Sequence, residues 1–348
     1  MSNPEDAFQE LIRILSSRDN QVLEIEIIPP SLDASFLQDG CSVGISKKAL
    51  VQAFTVARKI FFDRLKPMSE NDFQASICTK TRYGIADSVI TEVMLLFDCE
   101  HLTACNWRKR RLRAALAHDK TDVAKELLET ELTLMSSYQR SPLHRHTKSP
   151  TLWHHRLWAV GHLLGNRRWG SEELLELQRT ELDGVLRAGE LHPKNYYAFS
   201  YMRQLCALLG DTTTGQPTWK TELAVSIVDP VINWCLANPR DISGWSFAIY
   251  VLSNIAGPQD RARTILRVVE FALNVGWEGE SLWTFVDHAS RQFGLESVVQ
   301  DTMEMHSGRK TRFSDSPTVS EGRQNKSWQI WLARARVCWE TQGQRQSV

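Results

Sequence analysis

Residues 148–160 read KSPTLWHHRLWAV, placing Lys148, two adjacent histidines (His154, His155) and Arg156 within nine positions. With His144 and His146 just upstream, four imidazoles could suggest a zinc cluster, because imidazole is the commonest protein ligand for zinc. No cysteine stands at ligand spacing, however, and on a helix His154 and His155 point about 100° apart. Hydrogen bonding between helices is therefore the preferred role for these histidines, and no metal site is assigned. A second stretch with chemical potential is HPKNYYAF at 192–199, which sets Lys194, Asn195, Tyr196 and Tyr197 in a row. A third is WRKRRLR, 107–113. In a chain with 41 basic and 41 acidic residues it reads as a solvated face or a surface for an acidic partner, not as a nucleic-acid site. No glycine-rich phosphate loop appears.

These residues are placed by a repeat. TACNWRKRRL, SPTLWHHRLWAV, KNYYAFSYMRQL and DISGWSFAIYVL align on Cys105, Trp153, Phe199 and Trp245, spaced by 48, 46 and 46 residues. Seven positions after each anchor stands an apolar side chain (Leu112, Val160, Cys206, Leu252), two helical turns away on the same face. A looser fifth copy, ESLWTFVDHA, carries Trp283 38 residues after Trp245. The segments 121–135, 171–187 and 260–273 have helical patterning and open on Thr, Ser or Asp, which are good N-caps. Breakers such as GNRRWGS, GDTTTGQP and AGPQD separate the helices. A single helical pair cannot bury its own apolar face, so stacked pairs must share a core. The expected fold is all-α, an α-α superhelix or solenoid of stacked helical hairpins, with a short extended N-terminal segment at LEIEIIPPS, 23–31.

The expected organisation is an N-terminal helical or extended segment over 1–85, repeats over 86–300, a polar linker over 301–326, and a C-terminal capping helix and tail over 327–348. Seven scattered cysteines without a CxxC pair suit a reducing compartment, and the expected location is cytoplasmic. MSNPEDAFQE lacks the basic start and apolar run of a signal peptide, and no apolar run is long enough to span a membrane.

The anchors carry a family resemblance. HPKNYYAF holds the first half and WHHR (153–156) the second half of Asn-Tyr-x-x-Trp-x-x-Arg, the pattern of protein prenyltransferase alpha-subunit repeats. EIEIIP at 24–29, KSPxxWxHR at 148–156 and Asp241-x-Ser243-Gly244-Trp245 resemble the protein prenyltransferase alpha-subunit repeat-containing proteins more closely. The resemblance covers about residues 20 to 300. In the motif Trp107, Arg108, Trp153, Arg156, Phe199, Trp245 and Trp283 are structural: a tryptophan wedges between helical pairs, burying about 150–250 Å², and an arginine three positions on bonds a loop carbonyl or a carboxylate of the next repeat. Met202 and Ala248 stand where repeats three and four would have that arginine.

The resemblance implies the alpha subunit, or an alpha-like subunit, of a heterodimeric protein prenyltransferase, inactive alone. A separate beta subunit would carry the zinc and most of the lipid pocket, so this chain would bind no cofactor. The implied partner is a beta subunit of the Rab geranylgeranyltransferase type. The implied substrates are a prenyl diphosphate, most simply geranylgeranyl diphosphate, and a protein with a C-terminal cysteine, such as a SNARE-type protein. Carried over position by position, Lys148 and Tyr197 are the catalytic candidates. Lys194, Asn195 and Tyr196 are weaker candidates for the diphosphate. Pro150 stands where the family has a tyrosine, and Lys194 also lies five positions before its anchor, so which lysine faces the diphosphate depends on the register chosen. A lysine beside a helix N-terminus would stabilise the charge that grows on the leaving group. The competing reading is a non-catalytic α-solenoid scaffold that binds protein partners.

Overall fold

A computed structural model describes residues 3–65, 87–118, 122–212, 218–312, and 329–331, 333, 335 and 337. The chain divides into two compact units, Met1–Thr212 and Thr213–Val348. The division falls inside the stretch 86–300 that the sequence offers as one block of repeats.

The first unit opens with α1 (Pro4–Ser16), capped by the Asn3 side chain, and β1 (Glu24–Ile28). A hairpin of β2 (Phe36–Asp39) and β3 (Ser42–Ser46) completes a three-stranded sheet in the order β1-β3-β2, with β1 parallel to β3. The outer edge of β1 would expose ladder groups to an apolar interior. Ser137 and Ser141, one helical turn apart, accept hydrogen bonds there from the Leu23 and Ile25 amides at 2.9 and 2.7 Å. The sheet is a larger element than the extended segment expected, and in β3 Val43 and Ile45 alternate with Ser42, Gly44 and Ser46. Asp39-Gly40 marks the hairpin turn, with Gly40 at φ +56°.

Helices follow: α2 (Lys47–Leu65), α3 (Asp87–Phe97), α4 (Leu102–His118), α5 (Asp122–Gln139), a single turn α6 (His144–Thr147), α7 (Pro150–Gly165), α8 (Ser171–Leu191) and α9 (Tyr196–Thr212). Packing of α1 on α2, α2 on α3, α5 on α7, and α9 on both α7 and α8 builds the stack. Phe8, Leu11, Ile45, Phe61, Met94, Tyr138 and Leu152 share the main core. The helix at 171 starts one residue earlier than its serine suggests. Gly170 is the N-cap and donates its amide to Glu173 Oε2 at 2.9 Å.

The second unit contains α10 (Trp219–Ala237), α11 (Ile242–Ser253), α12 (Pro258–Val275), α13 (Glu280–Phe293) and α14 (Glu296–Arg312). Here too the cap differs from expectation: Pro258 at the first helical position fixes the start of α12, and Asp260 lies inside the helix. The helix α14 runs to Arg312, so residues 301–312 of the stretch expected as a linker are helical, whereas 313–328 lie outside the described residues. The described residues from 329 to 337 are helical, and Trp331 stacks on Trp283 with ring centroids 5.0 Å apart. The rest of the expected capping helix and tail lies outside the described residues. The chain is thus mainly helical, with stacked helices and a short N-terminal sheet, matching the all-α expectation apart from the sheet's size. Among the described residues no helix is long and apolar enough to cross a membrane.

Candidate functional site

Each anchor occupies the fourth position of its helix. Cys105, Trp153, Phe199, Trp245 and Trp283 follow helix starts at Leu102, Pro150, Tyr196, Ile242 and Glu280, and all five are buried. The position four before each anchor is the residue flanking the helix. In four of five repeats its side chain caps the free amides. Ala104 N donates to His101 Nδ1 (3.3 Å), Leu152 N to Ser149 Oγ (3.1 Å), and Ala198 N to Asn195 Oδ1 (3.2 Å). Asp241 Oδ1 accepts from both Ser243 N and Gly244 N (2.8 and 3.2 Å). Gly279 takes the place in the fifth repeat.

The indoles make a second recurring bond. Trp153 Nε1 donates to Thr147 O at 2.8 Å, Trp245 Nε1 to Pro239 O at 3.0 Å, and Trp283 Nε1 to Trp277 O at 2.9 Å. In each case the acceptor lies six residues back, so a buried indole ties its helix to the loop before it. Two repeats lack an indole at the anchor, and both find a substitute from residues 148 and 149. The carbonyl six before Phe199 is Pro193 O, which accepts Lys148 Nζ at 2.9 Å. The carbonyl six before Cys105 is Cys99 O, which Ser149 Oγ meets at 3.2 Å while also bonding the Glu100 carboxylate.

This accounts for where Lys148 sits. Its ammonium crosses from the N-terminus of α7 to the Pro193 carbonyl in the loop before α9, where the next residue, Lys194, has φ +61°. Asn195 is fully buried: its Nδ2 donates to Thr147 O at 2.7 Å, and its Oδ1 caps α9. It serves as cap and cross-link, and its side chain presents no surface to a diphosphate. Tyr196 and Tyr197 are exposed, at 59% and 50%. His192 bonds Thr147 Oγ1 through Nδ1 at 2.7 Å and faces the ring of His144. Its pKa is lowered by burial and then by the charges of His144 and Lys148. The structure therefore brings Lys148, His144 and His192 together at the loop before α9, next in sequence to Lys194 and to two exposed tyrosines.

The arginines of the motif lie elsewhere, inside the stack. Arg108 pairs with Glu131 through two bonds of 2.7 and 2.6 Å, and also donates to Ser88 O and Thr91 Oγ1. Arg156 pairs with Glu181 at 2.6 and 2.8 Å and donates to Ser136 Oγ at 3.0 Å. Each glutamate also receives a side chain from the next repeat, two positions after its anchor: His155 Nε2 reaches Glu131 Oε1 at 2.7 Å, and the Tyr201 hydroxyl bonds Glu181 Oε2. Burial alone would raise the Glu131 carboxyl, but Arg108 and the His155 bond outweigh it and hold the pKa well below the usual range. His155 is thus part of an interhelical network, as its sequence position suggested, while His146 bonds Leu95 O at 2.9 Å. Among the described residues no group of three or more His, Cys, Asp or Glu could hold a metal ion. Burial also raises the thiol of Cys99 to about 11 and that of Cys105 to about 12, so both stay protonated.

The missing arginines now have a partner in their absence. Eighteen residues before the next anchor, Glu181 becomes Ile227 and then Ile265, while Arg156 becomes Met202 and then Ala248, and Tyr201 becomes Phe247 and then Phe285. All of these replacements are buried. No arginine is lost without its glutamate, as the cost of an unpaired buried charge demands. The repeat pattern is the same whether its interior triad is charged or apolar.

Comparison with known families gives a match to one repeat. Residues 179–209 match the protein prenyltransferase alpha subunit repeat. The match spans the second half of α8 and most of α9, and includes Glu181, Lys194, Asn195, the two tyrosines and Phe199. No curated protein matches the chain.

Proposed function

We propose that this chain is the alpha, or alpha-like, subunit of a heterodimeric protein prenyltransferase. In this reading a beta subunit of the Rab geranylgeranyltransferase type supplies the zinc, the thiol site and the isoprenoid pocket. The pair moves an isoprenoid, geranylgeranyl in the first instance, from its diphosphate to a C-terminal cysteine of a protein substrate. The observation that carries it is the matched repeat at 179–209, aligned with four further copies that bury an anchor at the same helix position, three of them with a capping side chain as well. Lys148 then serves as the diphosphate-facing cation, with Tyr197 exposed on the first turn of α9 and Lys194 as the weaker candidate one residue after Pro193. An ammonium placed there offsets the negative charge that develops as the allylic carbon leaves the diphosphate. The Pro193 carbonyl holds it in place while leaving two of its three N–H donors free. Activity in the cytoplasm belongs to the same reading.

The test is turnover by the reconstituted heterodimer at saturating prenyl diphosphate. Lys148→Ala is expected to lower kcat at least tenfold without loss of the complex, and full turnover would remove Lys148 from the mechanism.

A second reading has its own observation. Because Lys148 stands in for the indole absent at Phe199, and Asn195 is wholly structural, the loop can be explained as architecture. A non-catalytic scaffold would bind partners through the same repeats and show no prenylation with any beta subunit.

A further inference from the structure

Lys109 and Arg113 lie one turn apart on α4, so both side chains leave the same face of the helix. Both reach the ring of Trp158 on α7: Lys109 Nζ stands 5.7 Å and the Arg113 guanidinium carbon 5.5 Å from its centroid. His162, one turn beyond Trp158, meets the same ring edge-on at 4.5 Å. The indole itself is fixed, since it packs on the small core of Leu112, Leu128, Ala159 and Leu163. Among the described residues neither cation nor His162 has a carboxylate partner. Elsewhere in this unit the buried arginines are paired, Arg18 with Glu92, Arg108 with Glu131 and Arg156 with Glu181. Burial and then the charge of Arg113 lower the pKa of His162, and Lys109 is lowered by its own half-burial, with Arg113 also acting against its charge. Two like charges held over one ring, without a counter-ion, form a preorganised seat for an anion.

We propose that Lys109, Arg113, Trp158 and His162 form a docking site for a short acidic segment of a partner protein, gripped through its carboxylates. The chemistry and the surroundings both argue for a short segment. The groove next to the same apolar core is lined by Glu129, Glu172, Glu173 and Glu176, which would repel a long polyanion such as a nucleic acid. The whole chain carries no net charge to attract one. A membrane surface is equally ill suited, because Trp158 is half-buried and spends its face on the two cations. The site is independent of the diphosphate reading, which uses other residues.

Isothermal titration of the full chain with an eight-residue glutamate peptide in low salt tests it. Binding is expected to weaken at least tenfold in K109E/R113E, and to weaken in the milder K109Q/R113Q. It is expected to stay unchanged in K47E/K48E, which alters charge equally at exposed positions on α2. Circular dichroism checks that each variant keeps its helicity. No binding by the wild type, equal weakening in K47E/K48E, or tighter binding of an eight-nucleotide single-stranded RNA would overturn the proposal.

Discussion

Arg156 and Glu181 meet through two hydrogen bonds of 2.6 and 2.8 Å in the interior of the first unit, from helices on either side of a repeat boundary. A third group, the Tyr201 hydroxyl, completes the cluster from the following repeat. Burial acts to lower the Arg156 pKa, but the adjacent Glu181 more than offsets it and raises it. The charge is therefore locked in, and removing one member strands the other.

Arg156→Met alone should destabilise the protein by about 3–5 kcal/mol, since it leaves an unpaired buried carboxylate. The triple change R156M/E181I/Y201F reproduces the apolar set found at Met202, Ile227 and Phe247. It should return stability to within about 1–2 kcal/mol of wild type, because well-packed apolar residues replace buried ion pairs at little cost. Urea unfolding of the three proteins measures both effects. A triple variant no better than the single would show that the repeats are not interchangeable at these positions.

The acid limb of stability should report Glu131. Its carboxyl has a folded-state pKa below the ordinary 4.5, so the stability it contributes is complete above that value. As pH falls below 4.5 the unfolded chain takes up the proton first and that stability is progressively lost. Unfolding midpoints followed from pH 6 to pH 3 should fall more steeply for wild type than for Glu131→Gln. Parallel curves would contradict the assignment.

Gly244 lies where α11 crosses α10, and a Cβ there would sit 2.5 Å from Trp234 Cζ3 and 3.2 Å from Cys235 Sγ. The ring is held by its packing, so Gly244→Ala should cost about 1–3 kcal/mol by overpacking. A thermal melt that is unchanged, or raised by the better helix propensity of alanine, would show that the ring yields.

Lys148 and position 199 should be coupled. In wild type Lys148→Ala removes one hydrogen bond to Pro193 O and is expected to cost about 0.5–1.5 kcal/mol. With Phe199→Trp, an indole N–H can serve that carbonyl as Trp153, Trp245 and Trp283 serve theirs. The same lysine change should then cost less than half as much. A double-mutant cycle by chemical unfolding reads the difference, and equal costs in both backgrounds would separate the lysine from the repeat.

Much of this was legible in the sequence, and the reason is periodicity. The anchors Trp153, Phe199 and Trp245 recur at a constant 46, so their helices, buried faces and capping positions follow from alignment alone. Of the two partners expected for Arg108 and Arg156, a loop carbonyl or a carboxylate of the next repeat, the carboxylate is found on the first helix of the following repeat. The hairpin of β2 and β3 is less legible because β2, Phe-Leu-Gln-Asp, does not alternate and stays largely exposed, which leaves the short alternation of Val43 and Ile45 in β3 without a visible partner strand. The role of Asn195 was half visible: capping follows from its position, but its bond to Thr147 O depends on a carbonyl 48 residues away. The tether on Lys148 depends on Phe199 lacking an N–H, a relation between two residues that no single-repeat pattern contains.

Whether the chain is the alpha-type half of a prenyltransferase is decided by co-expressing it with a Rab-type geranylgeranyltransferase beta subunit. The complex is then resolved by size exclusion and assayed for transfer of labelled geranylgeranyl to a protein ending in cysteine. The expected result is a 1:1 complex that labels the acceptor, with neither chain active alone. A chain that elutes by itself and leaves the acceptor unlabelled would contradict it.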